Sequence, residues 1–306
     1  MIIDLPTSAY YPERSENLLH LAASMCFELV HQTESWGYEH DEETLEAYWQ
    51  RTQPTLSNAL TLVQQAQEMG LKGRIASVSP YLLISKEPRD WPRGSDKQDL
   101  PFSTFRTVDA GDLPKIHDTV CLPRLTEEQK ALFEEIRSHR NIIVHHGSSQ
   151  PLTAGDVLRY ILRTFTWLHL GNNWFAKRDD YLSDDPLATL YSNDHVPSKL
   201  MFEFEALFSE LSPQDFQSIF GANKRQRWYL CPHCQSNSGD ADVSDIETAQ
   251  LVPNLPTSTN IHCIVCDQDH FVSRQDCSDI NCKGNVIAKS SYGDDFCLTC
   301  NGRQDS

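Results

Sequence analysis

Long apolar runs are missing from this chain of 306 residues, and none approaches the length a membrane-spanning helix needs. The opening Met1-Ile2-Ile3-Asp4-Leu5-Pro6 has neither the basic start nor the apolar core of a secretory signal. A cytoplasmic protein with no membrane partner is therefore expected. Basic charge is scarce: 26 Lys and Arg stand against 43 Asp and Glu, a formal net charge of −17. The field of such a chain repels a polyanion, which excludes indiscriminate binding to nucleic acid and confines any RNA site to a local patch. Cysteine is nearly absent before residue 231, where only Cys26 and Cys121 occur, and the other eight fall between Cys231 and Cys300. In a reducing compartment that crowding points to metal ligation and away from disulfides. No internal repeat covers the chain.

What is present is a succession of helix signals. Residues 16–31 carry Leu18, Leu19, Ala22, Met25, Cys26 and Leu29 on one stripe, with Cys26 as a core residue. Asp41 can cap a second helix through Glu42, Glu43, Leu45 and Tyr48. Pro54 and Thr55 open a third, which carries Leu56, Leu60, Val63 and Ala66 and is expected to stop at Gly70. From 71 to 123 the pattern weakens and a long loop or insertion is expected. Thr126 with Glu127, Glu128 and Gln129 has the form of a capping box, followed by Leu132, Phe133 and Ile136 on one face, and this helix is expected to end near Arg140. Thr153 with Asp156 starts the next, through Val157, Leu158, Ile161, Leu162, Phe165 and Leu168. Two acidic pairs, Asp179 with Asp180 and Asp184 with Asp185, follow in a segment read as a solvated loop. A helix through Leu200, Met201, Phe204, Leu207 and Leu211 and a short one from Ser212 to Gly221 complete this part. The basic stretch Lys224 to Arg227 marks the boundary, giving domains at 1–222 and 223–306.

Between the Thr126 and Thr153 helices lies Arg140-Asn141-Ile142-Ile143-Val144-His145-His146-Gly147. An always-charged guanidinium and an imidazole that titrates near neutrality are placed a few residues apart. The stretch resembles the motif of HEPN domains, an Arg followed by a polar residue and, after four to six intervening residues, a His. Both His145 and His146 satisfy that spacing, with His145 preferred. The resemblance implies a helical bundle that forms a homodimer with the two motifs facing each other. In catalytic members of the family it implies a metal-independent endoribonuclease, a toxin or anti-phage effector held in check by a protein partner. The RNA 2'-hydroxyl would attack the adjacent phosphorus, leaving a 2',3'-cyclic phosphate and a 5'-hydroxyl. His145 would move protons, Arg140 would stabilise the phosphorane and Asn141 would orient phosphate or imidazole, with His146 in reserve for the second transfer. Arg137, Arg159 and Arg163 are the local basic residues available to RNA. A catalytic metal at His145 and His146 is disfavoured, because adjacent side chains point apart and no H-x3-H pair exists.

The C-terminal region repeats one device: Cys231-Pro232-His233-Cys234, Cys263-Ile264-Val265-Cys266, Cys277 with Cys282, and Cys297-Leu298-Thr299-Cys300. Each such pair can present two thiolates to one tetrahedral zinc, and two pairs complete a four-cysteine shell. The segment resembles zinc ribbons, and two structural Zn2+ ions with ligands taken in chain order are expected. An alternative places Cys263, Cys266, Cys277 and Cys282 at an inner site and the other four at an outer one, and His233, His262 or His270 could replace a thiolate. The fold class expected is mainly α, a HEPN-like bundle followed by a small β-rich four-cysteine zinc-ribbon region. The competing functional class is a non-catalytic module that binds RNA, a nucleotide or a protein, with the ribbons as a docking surface.

Overall fold

The structure, a computed structural model, describes the chain except residues 8, 36–40, 86, 147–150, 185–195, 239–242, 290–292 and 305–306, and describes only the backbone of 34, 35 and 143–146. The chain forms two compact units, Met1–Leu29 with Tyr38–Leu170, and Val30–Gly37 with Gly171–Ser306. Among the described residues no helix is long and apolar enough to cross a membrane.

The first unit is a helical bundle. Its helices are α1 (Tyr10–Ser35, whose last residues belong to the second unit), α2 (Glu42–Val78), α3 (Leu113–Val120), α4 (Glu127–His146) and α5 (Ala154–Leu168). α2 is the centre, packed on α3, α4 and α5. Leu56, Leu60, Val63, Leu71 and Ile75 of α2 meet a core completed by Phe133 and Ile136 of α4 and Val157, Leu158 and Ile161 of α5, all fully buried. A two-residue strand β1 (Ile2–Ile3) pairs in parallel with β2 (Leu100–Pro101).

The local chemistry of the helix starts is as the sequence predicts. Thr126 Oγ1 accepts from Gln129 N–H at 3.2 Å while Gln129 Oε1 accepts from Thr126 N–H at 3.0 Å, a reciprocal capping box. Asp41 accepts from Thr44 N–H and Thr153 from Asp156 N–H. Three boundaries need correction. The second and third predicted helices are one, since α2 runs through Pro54 and past Gly70 to Val78. Gly70 is no terminator: a Cβ there would lie 2.6 Å from Leu168 Cδ1, so the glycine lets α5 approach α2. α4 likewise continues beyond Arg140 to His146. The expected loop at 71–123 holds the last turns of α2, four short 3-10 turns, β2 and α3. Asp118, at the end of α3, accepts from Leu125 N–H at 2.8 Å and lies 3.0 Å from Lys130 Nζ and 3.1 Å from His117 Nδ1. Burial works against its charge, yet these partners hold the carboxyl down to about 2.

The second unit holds α6 (Trp174–Ser183), α7 (Val196–Glu210), α8 (Pro213–Phe220) and α9 (Pro232–Ser238). Its strands are β3 (Ala249–Leu251), β4 (Asn260–Cys263) and β5 (Gln268–Phe271) in one antiparallel sheet, and β6 (Ile287–Lys289) with β7 (Asp295–Cys297) in a second. α6 replaces the predicted solvated loop, so Asp179 and Asp180 are helical; Asp185 lies outside the described residues. Asn173 caps α6 by accepting from Phe175 and Ala176 N–H. Its inward face carries Arg178, fully buried and joined by two nitrogens to the buried Glu203 of α7 at 2.7 to 3.2 Å. Phe204 and Phe208 of α7, Phe216 of α8 and Trp228 form one aromatic cluster, in which Phe208 meets Phe216 and Trp228 edge-on, Phe204 meets Phe216 edge-on and Phe204 tilts against Trp228. α9 is fastened to α7, where Ser198 Oγ donates to Ser238 O at 2.6 Å. The last helices before the cysteines and the first knuckle thus share one compact unit.

Candidate metal centres and a polar layer in the helical bundle

The cysteines gather in chain order. The sulfurs of Cys231, Cys234, Cys263 and Cys266 lie within 4.8 Å of one another, and so do those of Cys277, Cys282, Cys297 and Cys300. The inner and outer alternative is excluded by this pairing. A tetrahedral ion with Zn–S bonds of about 2.3 Å sets its sulfurs about 3.8 Å apart. The measured S···S distances are 3.7 Å for Cys231 with Cys266, 3.7 Å for Cys234 with Cys263, 3.7 Å for Cys277 with Cys300 and 3.9 Å for Cys282 with Cys297. The residues fit a four-thiolate zinc at both places. Each shell is complete without water, so the chemistry such an ion supplies is structural.

The turns that close the knuckles repeat. Asp267, directly after Cys266, and Asn301, directly after Cys300, both take a left-handed backbone, with φ of 54° and 57°. Donors converge on the sulfurs from outside: Gly284 N–H on Cys282 at 3.3 Å, Gln304 Nε2 on Cys277 at 3.4 Å, with Thr248 Oγ1 3.2 Å from Cys263. His270 Nε2 is 3.4 Å from the Cys231 sulfur, beside a complete shell and not in place of a thiolate. His262 turns to Asp269 and His233 to Asn237. Neighbouring sulfurs, that of Cys231 first, together with burial, push the Cys234 thiol far above its ordinary range. Contacts with Cys231, Cys234 and Cys263 hold the Cys266 thiol far below that range, so the four sulfurs share protons unevenly, and a cation displaces those that remain.

Above the first knuckle an open groove of about 880 Å3 runs between the edge of β5 and β6, lined among others by His233, His270, Phe271, Ile287 and Lys289. Phe271 is 84% exposed. No sequence signal marked it, because a lone aromatic in a four-residue strand carries no pattern.

Arg140 to His146 form the last two turns of α4, and Gly147 lies outside the described residues. The inward stripe of α4, Leu132, Phe133 and Ile136, gives way at the next helical spacing to His139 and Arg140. Tyr160 of α5 donates to Glu135 Oε1 at 2.6 Å, and its hydroxyl lies 3.3 Å from His139 Nδ1. Burial, then Glu135, raises the Tyr160 hydroxyl well above its ordinary value, so it stays protonated. Arg140 donates to Asn141 Oδ1 at 3.1 Å, and its Nε is buried with no hydrogen-bond partner among the described residues. Facing it on α2, Glu68 accepts from Gln64 Nε2 at 2.5 Å. Burial raises the Glu68 carboxyl while Lys72 and Arg140 lower it. The side chains of His145 and His146 lie outside the described residues.

The candidate basic residues, and those of the boundary stretch, are largely engaged. Arg137 pairs with Glu134 and Arg159 with Asp156, each three residues away, and Arg163 is half-buried on α5. Lys224 donates to Leu211 O and lies 4.8 Å from the Phe208 ring centroid, and Arg227 donates to Thr299. Comparison of the chain with protein-family models, with curated proteins and with solved structures finds no match. The class defined by the structure is a helical bundle followed by two four-cysteine clusters that resemble zinc ribbons.

Proposed function

We propose that the chain is a zinc-stabilised binding module whose ribbon region is a preformed docking surface. The observation that carries this reading is the open groove between β5 and β6, with a highly exposed Phe271 beside a closed metal shell that leaves no position for catalysis. A photo-crosslinking phenylalanine analogue placed at 271 in cells tests it. A discrete adduct is expected there, and none at Ile280, which is 96% exposed but outside the groove. Equal labelling at both positions sinks the reading, and nuclease or protease treatment of the adduct identifies its class.

A second reading is supported by the polar layer around Arg140: a metal-independent cytoplasmic endoribonuclease that leaves 2',3'-cyclic phosphate ends. A half-buried guanidinium with an unpartnered Nε is suited to stabilise charge on a phosphorane. A homodimer would set His145 of one copy against Arg140 of the other. In this reading Asn141 holds Arg140, and His145 or His146 moves the protons. Wild type and the Arg140→Ala/His145→Ala protein are compared on total RNA in EDTA. Cyclic-phosphate ends from wild type alone support this reading; equal cleavage by both proteins removes it.

A further inference from the structure

We propose that the groove along the free edge of β5 takes up an extended, basic polypeptide segment as an added β-strand. This rests on the docking reading and names its partner class. β5 is the outermost strand of the sheet β3-β4-β5. Val272 N–H donates to Thr259 O at 2.9 Å, and the register pairs Phe271 with Asn260, His270 with Ile261 and Asp269 with His262. Antiparallel alternation then turns the backbone N–H and C=O of Gln268 and His270 toward β4 and those of Asp269 and Phe271 away from it. At the next outward position Ser273 exchanges both bonds with Ile287, at 2.8 and 3.0 Å. Beyond that one bridge β5 and β6 make no further pairing among the described residues. The outward groups of Asp269 and Phe271 therefore open on the groove, whose far wall is Ile287, Ala288 and Lys289.

A row of donors and acceptors at strand spacing is matched by another extended backbone about 4.8 Å away. Charge favours a basic one. The adjoining groove of about 500 Å3 shares His233, Asn237 and Gln268 with the first and is lined by Asp179 and Asp180. Together the two carry Asp179, Asp180, Asp269 and Asp295 against Lys289, which is itself paired with Asp295 at 3.2 Å. Asp179 has no cationic partner among the described residues, whereas Lys177 pairs with Asp180. A phosphodiester backbone would meet net negative charge here, and a Lys- or Arg-bearing strand would relieve it. The exposed Phe271 supplies the apolar contact for the side chains on one face of the added strand.

The test uses the zinc-loaded full chain, isotopically labelled, with a fluorescent ten-residue peptide of alternating lysine and valine. Saturable binding is expected, with amide shifts at Asp269, Phe271 and Lys289. Affinity should fall at least about tenfold for the fully backbone-N-methylated peptide, and several-fold, about three or more, for Phe271→Ala with zinc content unchanged. No peptide binding, equal binding of the N-methylated form, or preference for a glutamate-for-lysine peptide overturns the proposal. Decauridylate binding at those amides in place of the peptide overturns it while leaving the docking reading standing. Absence of both ligands and of the crosslink at 271 overturns both.

Discussion

The bundle around α2 and the cysteine-rich stretch after Trp228 are held by different forces. In the bundle, long side chains from four helices fill one interior: Leu19, Leu60, Phe133 and Ile161 are each fully buried. Burial of that kind contributes about 25 cal/mol for each Å2 of apolar surface and needs no ligand. The stretch from Ala249 to Cys300 has strands of three or four residues in two small sheets, too short to be stable by pairing alone. Its own apolar core, with Ile261, Val286 and Leu298 buried, is small, and the two four-sulfur clusters cross-link it wherever a cation binds. Stability in the one region is spread over many contacts, and in the other it leans on two points.

Removal of metal should separate the two most sharply. Chelation at neutral pH, or Cys263→Ser at the first site alone, is expected to remove a folding contribution on the order of 10 kcal/mol per site. Amide protection should disappear across β3 to β5 in both cases and across β6 and β7 on chelation, while α2, α4 and α5 keep theirs. Loss of both at one chelator concentration would show that the regions do not differ in this way. The reverse perturbation is Gly70→Val, which drives a branched side chain into Leu168. It should cost about 1 to 3 kcal/mol in urea unfolding and leave zinc content unchanged.

Acid should strike the regions in sequence. The thiolate ligands take up protons and release metal as pH falls, so the ribbon region unfolds first. The Asp118 carboxyl, held down to about 2 in the folded chain, ordinarily titrates near 3.9, as in the unfolded chain. Its stabilising contribution is complete above about pH 4 and is lost as pH falls from there toward 2. Asp118→Asn should flatten that limb of helical-unit stability, read by circular dichroism, without moving the pH of zinc release. An unchanged limb would show that the partners of Asp118 contribute nothing to the folded state.

The legible parts of this fold were the ones decided within a few residues. Caps at Asp41, Thr126 and Thr153 are local hydrogen bonds, and all three form as read. Cysteine spacing fixed the knuckles, and space fixed which knuckles meet. What escaped was decided by partners far along the chain. Pro54 removes an N–H from the middle of α2, a break that packing on both sides of it overrides. α6 hid because one of its four buried residues is Arg178, an inward charge that makes sense only with Glu203 opposite. In the polar layer, His139 follows Ile136 at helical spacing, yet only Tyr160 on another helix shows that it faces inward.

Gly284 brings its backbone against the second metal cluster so closely that a Cβ would sit 2.7 Å from both the Cys297 sulfur and Thr299 Oγ1. It donates to Cys282 through its amide and ligates nothing. In a saturation-mutagenesis map it would nonetheless read like one more ligand beside the eight clustered cysteines, intolerant of every replacement, because any side chain there would displace a sulfur from its tetrahedron.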